Sequence, residues 1–312
     1  MARTSRPASR APWPTTGLTL GLLLFAANVP AQVLEPRLYR NAPTGLNAVA
    51  FGYSWSRGSL EFDPALPIED ANGNGSVVPI AYVRTFGLAG KAAKLEVVLP
   101  VAWGHYEGFL EGEFRTRDLA GIADPSFRLA VNLVGSPALG PKEYRDFRQG
   151  TIVGASLQVR PPLGTYDSSK LLNLGSNRWT FRPEIGLSHV WRKWFFELAG
   201  SLWFFTDNDN FSGGQLFEQQ RLSAIKGSII RGFKPGLWAA LSFGYGTGGK
   251  TIVEGIPKNT FQKNWRFAAS VSIPVRPGQA VRLFAISGVR QRVCSDSDVF
   301  GALYQITWLS GK

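Results

Sequence analysis

From Leu46 onward apolar and polar residues alternate with a period of two, the spacing a β-strand imposes because successive side chains leave opposite faces. In Leu46–Ser56, Val49, Phe51, Tyr53 and Trp55 share one face and Ala48, Ala50, Gly52, Ser54 and Ser56 the other. The same reading predicts strands over Ser76–Phe86, Ala93–Gly104, Asp124–Val134 and Thr151–Arg160, then over both arms of the hairpin Trp179–Gly214. Four more are predicted over Leu222–Gly232, Leu237–Tyr245, Asn264–Val275 and Ala280–Gly288, and a last one over Val299–Trp308.

The connections alternate as well. Short turns, Gly87–Gly90, Trp191–Lys193, Phe233–Gly236 and Arg276–Gln279, take turns with long polar loops at 57–75, 106–121, 161–177, 206–220, 247–263 and 290–298. A soluble sandwich shares the alternation but has no reason to gather every long loop at one end. An all-β, single transmembrane antiparallel up-and-down barrel of about 12 strands does, with N- and C-termini periplasmic at the short-turn side. Residues 135–150 interrupt the rule with Pro137, Pro141 and several charges, and a short helix within 141–148 is the expectation there.

The N-terminus adds an address. Arg3, Arg6 and Arg10 precede an apolar run from Gly17 to Ala27 and a small-residue site ending at Ala31, the pattern of a cleaved signal peptide. The expected organisation is therefore a signal peptide (1–31), a periplasmic lead-in or plug segment (32–45) and a barrel (46–312). Removing the three leader arginines leaves 31 Lys+Arg against 22 Asp+Glu, a mature chain at +9 without charge blocks. With one cysteine, Cys294, the chain forms no intrachain disulfide. Ten Trp, together with the Phe and Tyr at strand ends, suit aromatic girdles at headgroup level. Expected partners are outer-membrane lipids and lipopolysaccharide, the barrel assembly machinery and a small-molecule solute, with no nucleic acid and no cofactor.

Several motifs invite chemistry. Gly244–Thr251 fits the phosphate-loop spacing, but that mechanism requires a helix to start at the loop, and Ile252, Val253, Gly255 and Pro257 do not make one. Asp207 and Asp209, with Asn208 and Asn210, form a possible cation-binding loop without the bidentate Glu of a dedicated calcium site. His105 and His189 raise the possibility of a membrane-face lipase, yet neither has an evident serine and orienting amide beside it; no catalytic residue and no metal cluster is assigned. The informative set is the charged and amide residues opposite the apolar band: Arg84, Glu96, Arg128, Asn132, Gln158, Arg160, Arg182, Glu184, Glu197, Lys226 and Arg266. Facing lipid, an Arg or Lys near the midplane costs about 2–4 kcal/mol, so these residues are expected to line the lumen, either as a selectivity surface or as a structural ion-pair network.

Four segments carry a family likeness: LEPRLYRNAPTGLNAVAFGYSWSRG (Leu34–Gly58), GIADPSFRLAVNLVGSPAL (Gly121–Leu139), TIVGASLQVRPPLGTYDSSKLLNLGSNRWTFRPEIGLS (Thr151–Ser188) and FFTDNDNFSGG (Phe204–Gly214). They resemble the MetA-pathway of phenol degradation family of outer-membrane proteins. The chain departs from the common barrel ending in adding Leu309–Lys312 after the aromatic Trp308. The resemblance implies an outer-membrane barrel of a Gram-negative bacterium that serves as a channel or transporter for passive uptake of small, aromatic or hydrophobic compounds. The alternatives are a structural or surface-interaction barrel with a plugged lumen and, behind it, the lipase.

Overall fold

A computed structural model of the chain describes residues 34–59, 68–110, 112–290 and 296–310; the expected leader and Cys294 lie outside them. The strands are β1 (Leu46–Ser59), β2 (Ile68–Leu88), β3 (Lys91–Leu110), β4 (Glu113–Ile122) and β5 (Ser126–Val134); after helix α1 (Pro141–Tyr144) come β6 (Thr151–Arg160), β7 (Thr180–Trp191) and β8 (Trp194–Phe205). Then follow β9 (Asn208–Phe211), β10 (Gln215–Gln219), β11 (Leu222–Lys234), β12 (Leu237–Gly248), β13 (Thr251–Val253), β14 (Ile256–Pro257), β15 (Gln262–Arg276), β16 (Gln279–Arg290) and β17 (Asp296–Leu309).

Every neighbouring pair is antiparallel, and the ladder closes when β2 pairs with both β1 and β3 while β1 pairs with β17. Counting β4 and β5 as one interrupted strand, and setting aside the small sheet β9, β10, β13, β14, gives a closed 12-stranded barrel. Closure matters in lipid because it leaves no unpaired edge. The exposed side chains form the apolar belt the alternation required: Phe51, Leu129, Leu157, Ile185, Ile229, Leu241 and Phe267 are each more than two-fifths exposed, an arrangement a soluble surface avoids.

Two expectations about the loops change. The segment 106–121 is not a loop: β3 continues to Leu110, turns at Gly112 and returns as β4, pairing Val101 with Ile122 and Leu110 with Glu113. The alternation missed this because β4 is exposed on both faces over Glu113–Thr116, so no apolar face marks it. β4 and β5 are separated at Ala123–Pro125, where Pro125 has no N–H for the ladder and the Ala123 N–H donates to Pro100 O at 2.9 Å. Likewise the loops 206–220 and 247–263 fold together into β9, β10, β13 and β14, a second sheet at the long-loop end.

At the turn end, Leu46 pairs with Leu309, so the first and last strands meet there. The chain before β1 does not hang below the barrel. Leu34, Glu35, Arg37, Leu38, Tyr39, Asn41 and Ala42 are all buried, and they form a strap across the lumen.

Candidate functional site

Register stacks the inward residues in rows. Glu96 of β3 lies opposite Arg128 of β5, Arg128 opposite Gln158 of β6 and Gln158 opposite Arg182 of β7. The next row toward the turn end runs Ser156, Glu184, Ser201, and the one after it Asn132, Gly154, Gly186, Ala199, Lys226. A fourth row holds Ile152, Ser188, Glu197 and Ser228. Residues far apart in sequence thus form one polar wall because antiparallel pairing puts like-facing side chains side by side.

Charges in that wall are paired with one another and with the strap. Arg128 donates to Glu35 from Nη1 at 2.5 Å and from Nη2 at 3.3 Å, with both side chains buried, and its Nε lies 3.8 Å from Glu96. Glu184 has Lys226 Nζ at 3.0 Å and Arg182 Nη2 at 4.0 Å. Glu197 accepts from the strap itself, from the Arg37 N–H at 2.6 Å, and from Ser188 Oγ at 3.3 Å. The Arg182–Glu184 contact is therefore secondary; the shorter contacts run to Lys226 and to the strap. Arg182 and Arg160 instead place their guanidinium groups over the inward-facing ring of Trp203, at 4.9 and 5.6 Å, attracted by the ring's negative face.

The remaining positions divide. Asn132 is buried and donates to Ser136 Oγ at 2.9 Å. Gln158 is 1% exposed, and neither of its amide atoms finds a hydrogen-bond partner among the described residues. Arg266 is buried on the opposite wall, paired in register with Gly244 and Gly288. Arg84 does not line the lumen. It is exposed, shares its face with Ile80 and Tyr82, and lies opposite the outward Leu95. Its position four residues before the end of β2 explains this: so near the turn end a long side chain extends its charge to the headgroups.

The sequence reading overlooked several contributors. Lys94 and Arg282 are buried inward; Lys94 has the same parity as Glu96 and donates to Leu38 O at 2.6 Å, so the alternation could have found it. Arg37 sits 5.1 Å over both Phe195 and Trp238, and Arg282 lies 4.9 Å over the same Trp238. Residues 135–150 hold the strap where it leaves the lumen. Leu139 O accepts from Thr44 N at 2.8 Å, Tyr144 Oη donates to Asn41 O at 3.0 Å, and Gln149 Oε1 accepts from Asn41 N at 3.3 Å. Burial pushes the Tyr144 hydroxyl's pKa up, keeping it a donor. At the long-loop end Leu172 and Leu174 pack on the interior cluster that contains Trp203 and Leu222. Asp124 fixes that loop by accepting from Gly164 N, Ser176 N and Ser176 Oγ.

The other motifs do not converge on a site. At Gly244–Thr251, β12 runs to Gly248 and β13 begins at Thr251, so no helix N-terminus faces the loop. Asp207 and Asp209 flank Asn208, which turns inward to bond Asn177 and Tyr166 while both acids face solvent; among the described residues no third His, Cys, Asp or Glu joins them to hold a cation. His105 lies 2.7 Å from Asp118 on the outer surface, in a row that continues through Asn74 and Arg57 rather than a serine. His189 meets Thr151 Oγ1 at 2.8 Å.

In fold the chain is similar to an outer membrane channel from Pseudomonas putida F1, with a TM-score of 0.72 at 17% identity over 88% of this chain and 99% of that one. It is also similar to the β domain of the Bordetella autotransporter BrkA (TM-score 0.50, 11% identity, 85% of this chain and 100% of that one). A third likeness is to the transport unit of the autotransporter AIDA-I from Escherichia coli (TM-score 0.50, 7% identity, 87% and 92%). No curated protein matches by sequence. The sequence model of one family matches residues 70–283, more than half of the chain. This outer-membrane barrel belongs to the MetA-pathway of phenol degradation family.

Proposed function

We propose that the barrel is a channel for passive uptake of small compounds, aromatic or hydrophobic ones among them, working by passage rather than catalysis. The short-turn end, with both termini, faces the periplasm, and the loop sheet faces outward toward lipopolysaccharide; the barrel assembly machinery inserts the chain. The observation that carries this reading is the inward row Glu96, Arg128, Gln158, Arg182, a polar surface placed across the lumen by register. Among the described residues the wall's inward charges are Lys94, Arg128, Arg160, Arg182, Lys226, Arg266 and Arg282 against Glu96, Glu184 and Glu197, an excess of cations that favours anionic solutes. The strap is joined to the wall by side-chain contacts and not by strand pairing, so it can leave without unzipping the barrel.

A second reading, a barrel held shut with its loops as the working surface, draws on the same strap, since Glu35 seals onto Arg128. Planar-bilayer recording of the mature protein separates the two. The channel reading expects discrete conductance, with Arg182→Gln, which removes one of the excess cations, shifting the reversal potential under a salt gradient. A protein that stays silent, and still passes no solute when its strap is deleted, is the sealed barrel.

A further inference from the structure

The lumen holds one of the chain's own side chains in a way that describes a ligand. Tyr39 is 3% exposed. Its ring lies flat across the cross-strand pair Gly154–Gly186: a Cβ on Gly154 would run into ring atoms Cδ1 and Cε1, and one on Gly186 into Cε2 and Cδ2. Neither glycine has the positive φ that would demand glycine for backbone reasons. Glycine inside a strand weakens it and marks a close approach, so this pair is there for the space above it. Ala130, Ile152 and Ala199 border the ring with apolar surface. At its far end the phenolic hydroxyl donates to Glu184 Oε1 at 3.1 Å, with Ser156 Oγ at 3.4 Å, and Lys226 balances the carboxylate from 3.0 Å.

We infer that this cradle is a binding subsite for small phenols, which Tyr39 occupies as a tethered stand-in. A flat floor of two glycines, apolar edges and a charged acceptor opposite the entrance match an aromatic ring bearing one hydroxyl group. A ring without a hydroxyl makes neither the Glu184 nor the Ser156 contact. Because Tyr39 belongs to the strap, a free phenol that takes its place removes one of the strap's holds on the wall and opens the path. Substrate and plug therefore compete for one seat. The inference rests on the channel reading for its consequence, the opening, but not for the binding itself.

The test uses p-cresol, the tyrosine side chain without its backbone, against toluene, the same ring without the hydroxyl. Wild-type protein in planar bilayers is expected to gain conductance as p-cresol is added. Toluene should need about tenfold or more concentration for the same gain, the fold-change that one hydrogen bond to a charged acceptor is worth. Tyr39→Phe weakens the resident competitor and should lower the p-cresol concentration required, while Gly154→Ala fills the seat and should abolish the response at unchanged barrel migration on unheated gels. Equal response to p-cresol and toluene, or a Gly154→Ala protein that still responds, overturns the inference. If no condition gives conductance, even with the strap deleted, the channel reading fails; saturation-transfer NMR of p-cresol against vesicle-embedded protein then decides the subsite alone. Transfer in Tyr39→Gly that disappears in Tyr39→Gly/Gly154→Ala supports it, and transfer in both or in neither overturns it.

Discussion

Along β6, β7 and β8 the inward positions include Gln158, Arg182, Glu184 and Glu197; along β1, β2 and the middle of β3 they carry no charge and include Ala48, Ala50, Ala81, Val83 and Val98. Both stretches present the same apolar belt to lipid, so the outside places no demand that distinguishes them. The difference lies in what each wall packs against. The aliphatic wall belongs to a cluster completed by Ala42 at the end of the strap, by Trp203 and Leu222 from across the lumen and by Leu174 from the long loop. The charged wall meets the strap, whose Glu35, Arg37 and Tyr39 are matched to it contact by contact. One wall fills space and the other recognises a segment. Functional change is therefore expected on the recognising side, and loss of stability without change of function on the filling side.

Breaking the charged wall should have the largest effect. Arg128→Met leaves Glu35 and Glu96 buried without their shared cation, and breaking a buried pair from one side costs about 3–5 kcal/mol. Urea unfolding in vesicles, followed by tryptophan fluorescence, should show that loss, and bilayer recording should show raised basal conductance as the strap lifts. Adding Glu35→Gln should recover part of the stability, because residues in direct contact are not additive; simple additivity would mean that the two do not act as a pair.

Val98→Ala probes the other wall. It removes two methylene equivalents from a fully buried position, and at about 0.8 kcal/mol each the expected cost is about 1–2 kcal/mol. Conductance and ion selectivity should stay at the wild-type level. A selectivity change as large as that of Arg182→Gln would erase the distinction between the walls.

How much of this was readable beforehand follows from the physics of each level. Alternation with period two is a local signal, so it separated Arg182 and Glu184 from Ile185 and Leu187 without a structure. Register is not local. That Gly154 meets Gly186, and that Tyr39 seats on both, depends on pairs 32 and more than 100 residues apart, and nothing in the spacing of glycines along one strand announces it. The β4 strand was hidden for another reason: both of its faces are exposed over Glu113–Thr116, so those residues carry no alternation to read. The segment 135–150 looked anomalous as a turn and makes sense only beside Thr44 and Asn41, which it anchors.

Arg84 gives the smallest effect and the sharpest check on the rule used to find the lumen. That rule held that a charge on a barrel strand turns inward because lipid penalises it, yet the penalty depends on depth, falling from about 2–4 kcal/mol at the midplane to about 0–1 near the interface. Arg84 sits near the turn end on the face of Tyr82, whose hydroxyl donates to Asn47 Oδ1 at 2.8 Å, and Asn47 in turn donates to Ser310 Oγ. The outward surface there is already polar, and a guanidinium fits it without cost. Arg84→Gln should therefore change unfolding stability by no more than about 0.5 kcal/mol, the range of ordinary surface substitutions. It should leave conductance and selectivity untouched, in contrast to the same change at Arg182. A selectivity shift on substituting Arg84 would mean that its charge reaches the lumen and that its place on the lipid face is wrong.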